Sequence, residues 1–379
     1  MAAPEMAPIS VSLELDSGAG ATEALLAAMV HASEGVSDLI FSPGRPPQVE
    51  IHGQLIPVQV SRLPVLSADH TRHIASDLIA SNKQALSALR EQGACDISYS
   101  LAGKARFRVN VFIQRGSCAI VMRVIPTDIP DFAGLNLPPR LAEVADLKSG
   151  IALVTGPVGC GKSSTLAAIL DRINTEYSYH IITVEDPIEF LHNHKRSTIH
   201  QRELHSDAPS VSLALRAALR QSPKVIVIGE VRDRETIEVM LDAAETGHLV
   251  LSSMNTLDAS KTVERIVGAF SPAEQRSVRT RLAKSFRYII SQRLIPRADG
   301  TGRVPVAEIL KTNQQTRDCV ENGEHEGHTL LASIKSGSAE GMQHFDAEIE
   351  KLVRSGIVDL ETALNYAINP GQLRQTFRT

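Results

Sequence analysis

The residues with the most chemistry in this chain are consecutive. Gly156-Pro157-Val158-Gly159-Cys160-Gly161-Lys162-Ser163 has the G-x-x-x-x-G-K-[ST] spacing of a phosphate loop, after the apolar run Ile151 to Val154 and before a helix-like stretch, Thr165 to Ile173. Glycines permit backbone angles that turn successive N–H groups inward, and the new helix adds the positive end of its dipole. The expected ligand is ATP. Lys162 would reach the β and γ phosphates, Ser163 would place its hydroxyl on Mg²⁺, and Ser164 follows in the first helical turn. A plain glycine-rich turn is the bland alternative, and the agreement of motif with flanks weighs against it. Cys160 reads as a small filler residue, with an oxidation-sensitive thiol as the other reading.

Phosphoryl transfer also needs carboxylates. The apolar run Lys224 to Ile228 ends in Gly229-Glu230, where an acidic group at a strand end would orient the attacking water and help hold Mg²⁺. A second acidic run, Glu185-Asp186-Pro187-Ile188-Glu189, closes the strand-like stretch His180 to Val184, and such crowded carboxylates repel one another unless a cation intervenes. Glu185 is the expected metal ligand and Glu189 its companion in catalysis; a solvated strand end is the alternative. Positive charge opposite the γ phosphate would come from Arg106 and Arg108, on one face of a predicted strand, and Arg123 on the next. Solvated surface arginines explain them equally well.

These groups need a framework. The first segment mixes a helical pattern, Ala21 to Ser33, with a β-rich run, Gln48 to Ile56, and a long helix-like stretch, Ala68 to Gln92; three meander strands follow at Asp96 to Leu101, Arg106 to Gln114 and Ala119 to Ile125. That is an α+β domain over residues 1–125. Pro126 to Asp131 and Pro138-Pro139 resist regular structure, so an interdomain linker is expected over 126–140. From 141 to 379 the strand-like runs Ile151 to Thr155, His180 to Val184, Val225 to Ile228 and Leu249 to Ser252 alternate with helices, the pattern of an α/β sheet with ligands at its carboxyl edge. From Pro272 the pattern reads as helical to the end, with amphipathic segments at Phe345 to Ser355 and Leu360 to Ile368.

Composition narrows the function classes. In 379 residues with a net charge of −4, no tryptophan and 4% aromatics, there is no basic, aromatic platform for nucleic acid, and none is expected as a partner. Met1 to Gly18 has no leader pattern and no run reaches about 18 apolar residues, so a cytoplasmic protein without a membrane span is expected. Cys95, Cys118, Cys160 and Cys319 are scattered, as reduced thiols are.

Taken in order, Phe107 to Phe112, Met122 to Pro126, the phosphate loop, Glu185 to Phe190, Ile228 to Asp233 and Thr246 to Val250 resemble the type IV pilus retraction ATPases, the PilT-like branch of the type II/IV secretion ATPases. The resemblance implies a PAS-like N-terminal domain, a RecA-like P-loop ATPase domain and C-terminal helices. It also implies a homo-hexamer with ATP between subunits and Arg106, Arg108 and Arg123 facing it, coupled through an inner-membrane platform protein to pilus retraction. Thr246 to His248 would open the His box, which makes His248 a catalytic candidate. This chain departs from the pattern in Met254-Asn255-Thr256, where a second histidine is usual, in Pro223-Lys224, in Ser37 to Ile40 and around Thr316 to Gly323. Asparagine donates a hydrogen bond and takes no proton. The departures support an alternative, a PilU-like accessory ring subunit that binds nucleotide and relies on a paralogous pilus ATPase.

Overall fold

The computed structural model describes residues 9–11, 20–51, 53–61, 63–126 and 128–377. Apart from residues 9–11, the stretch Met1 to Gly18 lies outside them, as does Thr127 in the expected linker. The chain divides into two compact units, Met1–Thr127 and Asp128–Thr379.

The first unit runs β1 (Ile9–Val11), α1 (Ala21–Val30), β2 (Val36–Phe41), β3 (Gln48–Ile51), β4 (Gln54–Val60), α2 (Ala68–Ile79), α3 (Lys83–Gln92), β5 (Ala94–Leu101), β6 (Ala105–Gln114) and β7 (Ser117–Ile125). Its strands form one sheet in the order β1-β4-β3-β2-β7-β6-β5. Alternation along β6 turns Phe107, Val109 and Val111 into the core and leaves Arg106 and Arg108 on the other face. The long helix expected over Ala68 to Gln92 is two helices. Ala80 takes a φ of +46°, which ends α2, and the Asn82 side chain then caps α3 by accepting from the Ala85 N–H at 3.0 Å.

The second unit opens with a 3₁₀ turn, Pro139–Asp146, followed by β8 (Gly150–Thr155), α4 (Lys162–Glu176), β9 (His180–Glu185), β10 (Thr198–Glu203), α5 (Val211–Ala218), β11 (Val225–Ile228), α6 (Arg234–Glu245) and β12 (Leu249–Met254). It continues through α7 (Ala259–Gly268), α8 (Pro272–Ser285), β13 (Phe286–Pro296), β14 (Arg303–Lys311), α9 (Gln314–Asn322), α10 (Leu330–Ser336), α11 (Phe345–Arg354), α12 (Leu360–Tyr366) and α13 (Pro370–Thr376). The sheet order is β10-β9-β11-β12-β8-β13-β14, parallel except for the β13–β14 pair. This is the α/β architecture expected of a phosphate-loop ATPase.

All four residues of β11 are buried because helices cover both faces. Ile226 and Ile228 join the core beneath α5 to α8, whereas Val225 and Val227 join the one beneath α4. The helical reading from Pro272 onward fails at β13 and β14. The run Phe286 to Ile295 is aromatic and β-branched, and it adds to the sheet beside β8. Its far end, with Ile295, Val304 and Val306, is covered by Phe345, Ile349 and Leu364 of α11 and α12. Among the described residues, no helix is long and apolar enough to cross a membrane.

Candidate functional site

The phosphate loop leaves the carboxyl end of β8 and ends at α4. Gly156, Gly159 and Gly161 have φ of +144°, +77° and +90°, values that L side chains rarely adopt. A Cβ on Gly156 would stand 2.3 Å from the backbone oxygen of Gln292. As N-cap, Gly161 supplies no side-chain acceptor, which leaves the first-turn N–H groups of α4 for an anion. Lys162 donates its ammonium to the carbonyls of Gly156 and Pro157, both at 3.0 Å, and so uses two of its three donors to close the loop. Val158 sits at the tip, 87% exposed.

Beneath the loop lies a residue that the sequence pattern did not point to. Gln292 on β13 is buried; its Nε2 donates to the Cys160 carbonyl at 2.7 Å, and its Oε1 accepts from the Thr165 hydroxyl at 2.7 Å. Its amide therefore straps the end of the loop to the first turn of α4. Cys160 is buried too, and burial pushes its thiol above the ordinary value, which favours the filler reading over a reactive thiolate.

A cavity of about 630 Å³ opens beside the loop. Val158, Gly159, Gly161, Lys162, Ser163 and Ser164 line it together with Glu185, Glu189 and Glu230. Gly156, Pro157 and Cys160 hold the loop's shape from outside the lining. Glu185 ends β9, where its Oε1 accepts from the Thr183 hydroxyl at 2.6 Å and from Gln201 Nε2 at 3.0 Å. Burial raises the pKa of its carboxyl against the opposing pull of these donors. Glu189 is exposed on the loop that follows.

Glu230 lies two residues beyond β11 with both carboxylate oxygens engaged. Asn255 Nδ2 donates to Oε1 at 2.5 Å, and the Arg232 guanidinium reaches Oε2 at 2.8 Å. Arg232 also stands 3.7 Å from Asp186, which links the two acidic strand ends. Ser253 ties the same region together, its hydroxyl donating to the Gly229 carbonyl at 2.6 Å and its carbonyl accepting from the Val231 N–H at 2.9 Å.

The remaining candidates lie elsewhere. His248 precedes β12 at the opposite edge of the sheet, where its carbonyl accepts from the Gly150 N–H at 3.0 Å and its Nδ1 stands 2.9 Å from the Ala243 carbonyl. At about 3.3 Å per strand residue, β12 puts roughly 20 Å between His248 and Asn255. The structure therefore does not bring His248 to the cavity of its own chain. Arg106, Arg108 and Arg123 belong to the first unit. Arg108 and Arg123 are cross-strand partners on β6 and β7, Arg106 donates to the Ser100 hydroxyl at 3.1 Å, and Arg123 pairs with the buried Asp38 at 3.0 Å.

A profile of the family described as "Type II/IV secretion system protein" matches residues 71–365. The type IV pilus retraction ATPase PilT of Pseudomonas aeruginosa is 39% identical over 339 residues, which cover 89% of this chain and 96% of that protein. The type IV pilus ATPase PilU of the same organism is 37% identical over 352 residues, 93% of this chain and 90% of PilU. A crystal structure of the pilus retraction motor PilT with bound ADP matches with a TM-score of 0.80 at 39% identity, across 93% of this chain and 98% of that one.

Proposed function

Because the chain belongs to the family of type II/IV secretion system proteins, we propose that it is the ATP-hydrolysing motor of type IV pilus retraction. The observation that carries this is the single cavity wall shared by Lys162, Ser163 and Glu230. The loop's N–H groups and Lys162 hold the β and γ phosphates, and Glu230 orients the water that attacks in line.

The donor set suits Mg²⁺, a hard cation that takes oxygen ligands and shares them with substrate phosphates. Ser163, Glu185 and Glu230, all with oxygen-bearing side chains, line the one cavity. When bound, the ion neutralises charge on the phosphates. Ser163 and the two carboxylates would hold it.

Six copies form a ring in this reading, and Arg106, Arg108 and Arg123 of one subunit face the nucleotide of the next. Hydrolysis changes the angle between the two units of each chain across residues 126–140. An inner-membrane platform protein receives that motion and draws pilin subunits out of the pilus base, so the ring works in the cytoplasm, peripheral to the inner membrane. A second reading, an accessory ring that relies on a paralogous motor, draws on the likeness to PilU and on Asn255.

The test is steady-state ATP turnover of the purified protein with Mg²⁺, beside Lys162→Ala and Glu230→Gln, with the mass in solution recorded. Turnover lost in both variants, from a species near six subunits, supports the motor. Nucleotide binding without turnover in the wild type supports the accessory ring, and turnover unchanged in Lys162→Ala overturns both readings.

A further inference from the structure

Glu230 is useful to a water molecule only if its carboxylate points in one direction, and two unlike donors fix that direction here. Arg232 is a long cation, 59% exposed, on the same loop as Glu230. Pairs of this kind hold geometry weakly, because water competes for the charge and the side chain is free to swing. Asn255 is exposed as well, but it is short and neutral, and the residues on either side of it are anchored.

The residue before it, Met254, gives its carbonyl to the N–H of Gly156, the first residue of the phosphate loop, at 3.3 Å. Ser253 is stitched to Gly229 and Val231 on the glutamate's own strand end. The residue after it, Thr256, is buried with its hydroxyl 2.7 Å from that of Thr262 on α7. The amide that holds Glu230 Oε1 is therefore mounted on the backbone segment that also holds the start of the phosphate loop.

We propose that Asn255 is the positioning residue for Glu230, and that through Met254 it makes the direction of the carboxylate depend on the state of the phosphate loop. This rests on the reading of Glu230 as the residue that orients water. Asn255 takes no proton, forms no bond to substrate and acts only through Glu230. A displacement of about 1 Å in a positioned group costs up to about a hundredfold in rate. Losing the Asn255 donor should therefore lower kcat far more than it weakens nucleotide binding, which depends on the loop and Lys162.

The experiment compares Asn255→Ala, Asn255→Asp and Asn255→His with the wild type and Glu230→Gln. It measures kcat, KM for ATP, the affinity for a fluorescent ADP analogue, and the melting temperature. Asn255→Ala removes the donor without adding charge, while Asn255→Asp keeps the size of the side chain and sets a second carboxylate against Glu230, so its loss should be at least as large and cannot come from a packing defect. The expected result is a fall in kcat of at least about tenfold in both Ala and Asp variants, with KM and ADP affinity within about twofold of wild type and partial recovery in Asn255→His, whose ring N–H donates. Wild-type kcat in both Ala and Asp variants, with Glu230→Gln inactive, would overturn this inference and leave the proposed function standing. An equal loss of kcat and ADP affinity would overturn it too, since Asn255 would then be shaping the loop. No turnover in the wild type would remove the proposed motor and this inference with it.

Discussion

Gln292 donates its side-chain N–H to the carbonyl of Cys160 at 2.7 Å, across 132 residues of chain. The same amide accepts from Thr165, so one buried side chain satisfies two groups that its removal would strand. An unsatisfied buried polar group costs about 1–3 kcal/mol. Gln292→Leu should weaken ADP binding by about tenfold or more and lower the melting temperature, as read by titration with a fluorescent ADP analogue and by thermal unfolding. An affinity equal to wild type would show that the loop keeps its shape without the strap.

Gly156 has no room for a side chain. A methyl group there would meet the Gln292 backbone oxygen at 2.3 Å and the Cys160 sulfur at 2.6 Å, at a φ of +144°. Gly156→Ala is expected to abolish nucleotide binding, whereas Gly159→Ala, which has open space around its Cβ and only the backbone strain of a φ of +77° to bear, should keep the fold and lose only part of the affinity. Calorimetric titration with ADP distinguishes the two, and equal affinities would contradict the steric argument.

Two of the candidate arginines make different demands on the first unit. Arg123 compensates Asp38, whose side chain is only 6% exposed, while Arg108 is exposed on the neighbouring strand. Arg123→Ala should cost about 1–3 kcal/mol of stability by leaving a buried carboxylate without its cation. Arg108→Ala should leave unfolding unchanged. Urea denaturation of the two variants checks this. A loss of turnover in Arg108→Ala at unchanged stability is then the cleaner sign of a contact with nucleotide.

Glu308 on β14 is 2% exposed and accepts from the Ala259 N–H at 3.0 Å; burial raises its pKa from 4.5 to about 7. The folded state thus holds this proton more tightly than the unfolded chain. Its contribution is full below pH 4.5 and is lost as the pH rises through about 7. The shift corresponds to roughly 3 kcal/mol at about 1.4 kcal/mol per unit. Glu308→Gln stays neutral, so relative to wild type it should gain stability between pH 5 and pH 8. Denaturation curves at those two pH values test the sign, and no relative gain would mean that the carboxylate is compensated when ionised.

That the phosphate-loop motif and the acidic ends of β9 and β11 come to one cavity was legible because each lies in a contiguous run whose order carries its geometry. The helices at Phe345 and Leu360 were legible for the same reason, since periodicity is local. What escaped was long-range. Gln292 lies 127 residues from Thr165 and 132 from Cys160, so no local pattern could pair them. His248 and Asn255 are close in sequence, and the extended strand between them sends them to opposite edges of the sheet. The strands at Phe286 and Arg303 were read as helix because they follow a true helix, α8; β13 pairs with β8, more than a hundred residues earlier, and β14 joins the sheet only through β13.

Side chains alternate along a strand, and β13 puts that alternation between two distant structures. Gln292 reaches the phosphate loop, while the next residue, Arg293, lies over the Phe345 ring at 4.0 Å and donates to the Tyr366 carbonyl. The phosphate-loop motif and helices α11 and α12 therefore grip adjacent residues of one hydrogen-bonded strand. Whatever moves the loop along β13 therefore acts one residue away from the contacts that hold α11 and α12, so the strand is a crossbar shared by the two ends of the unit.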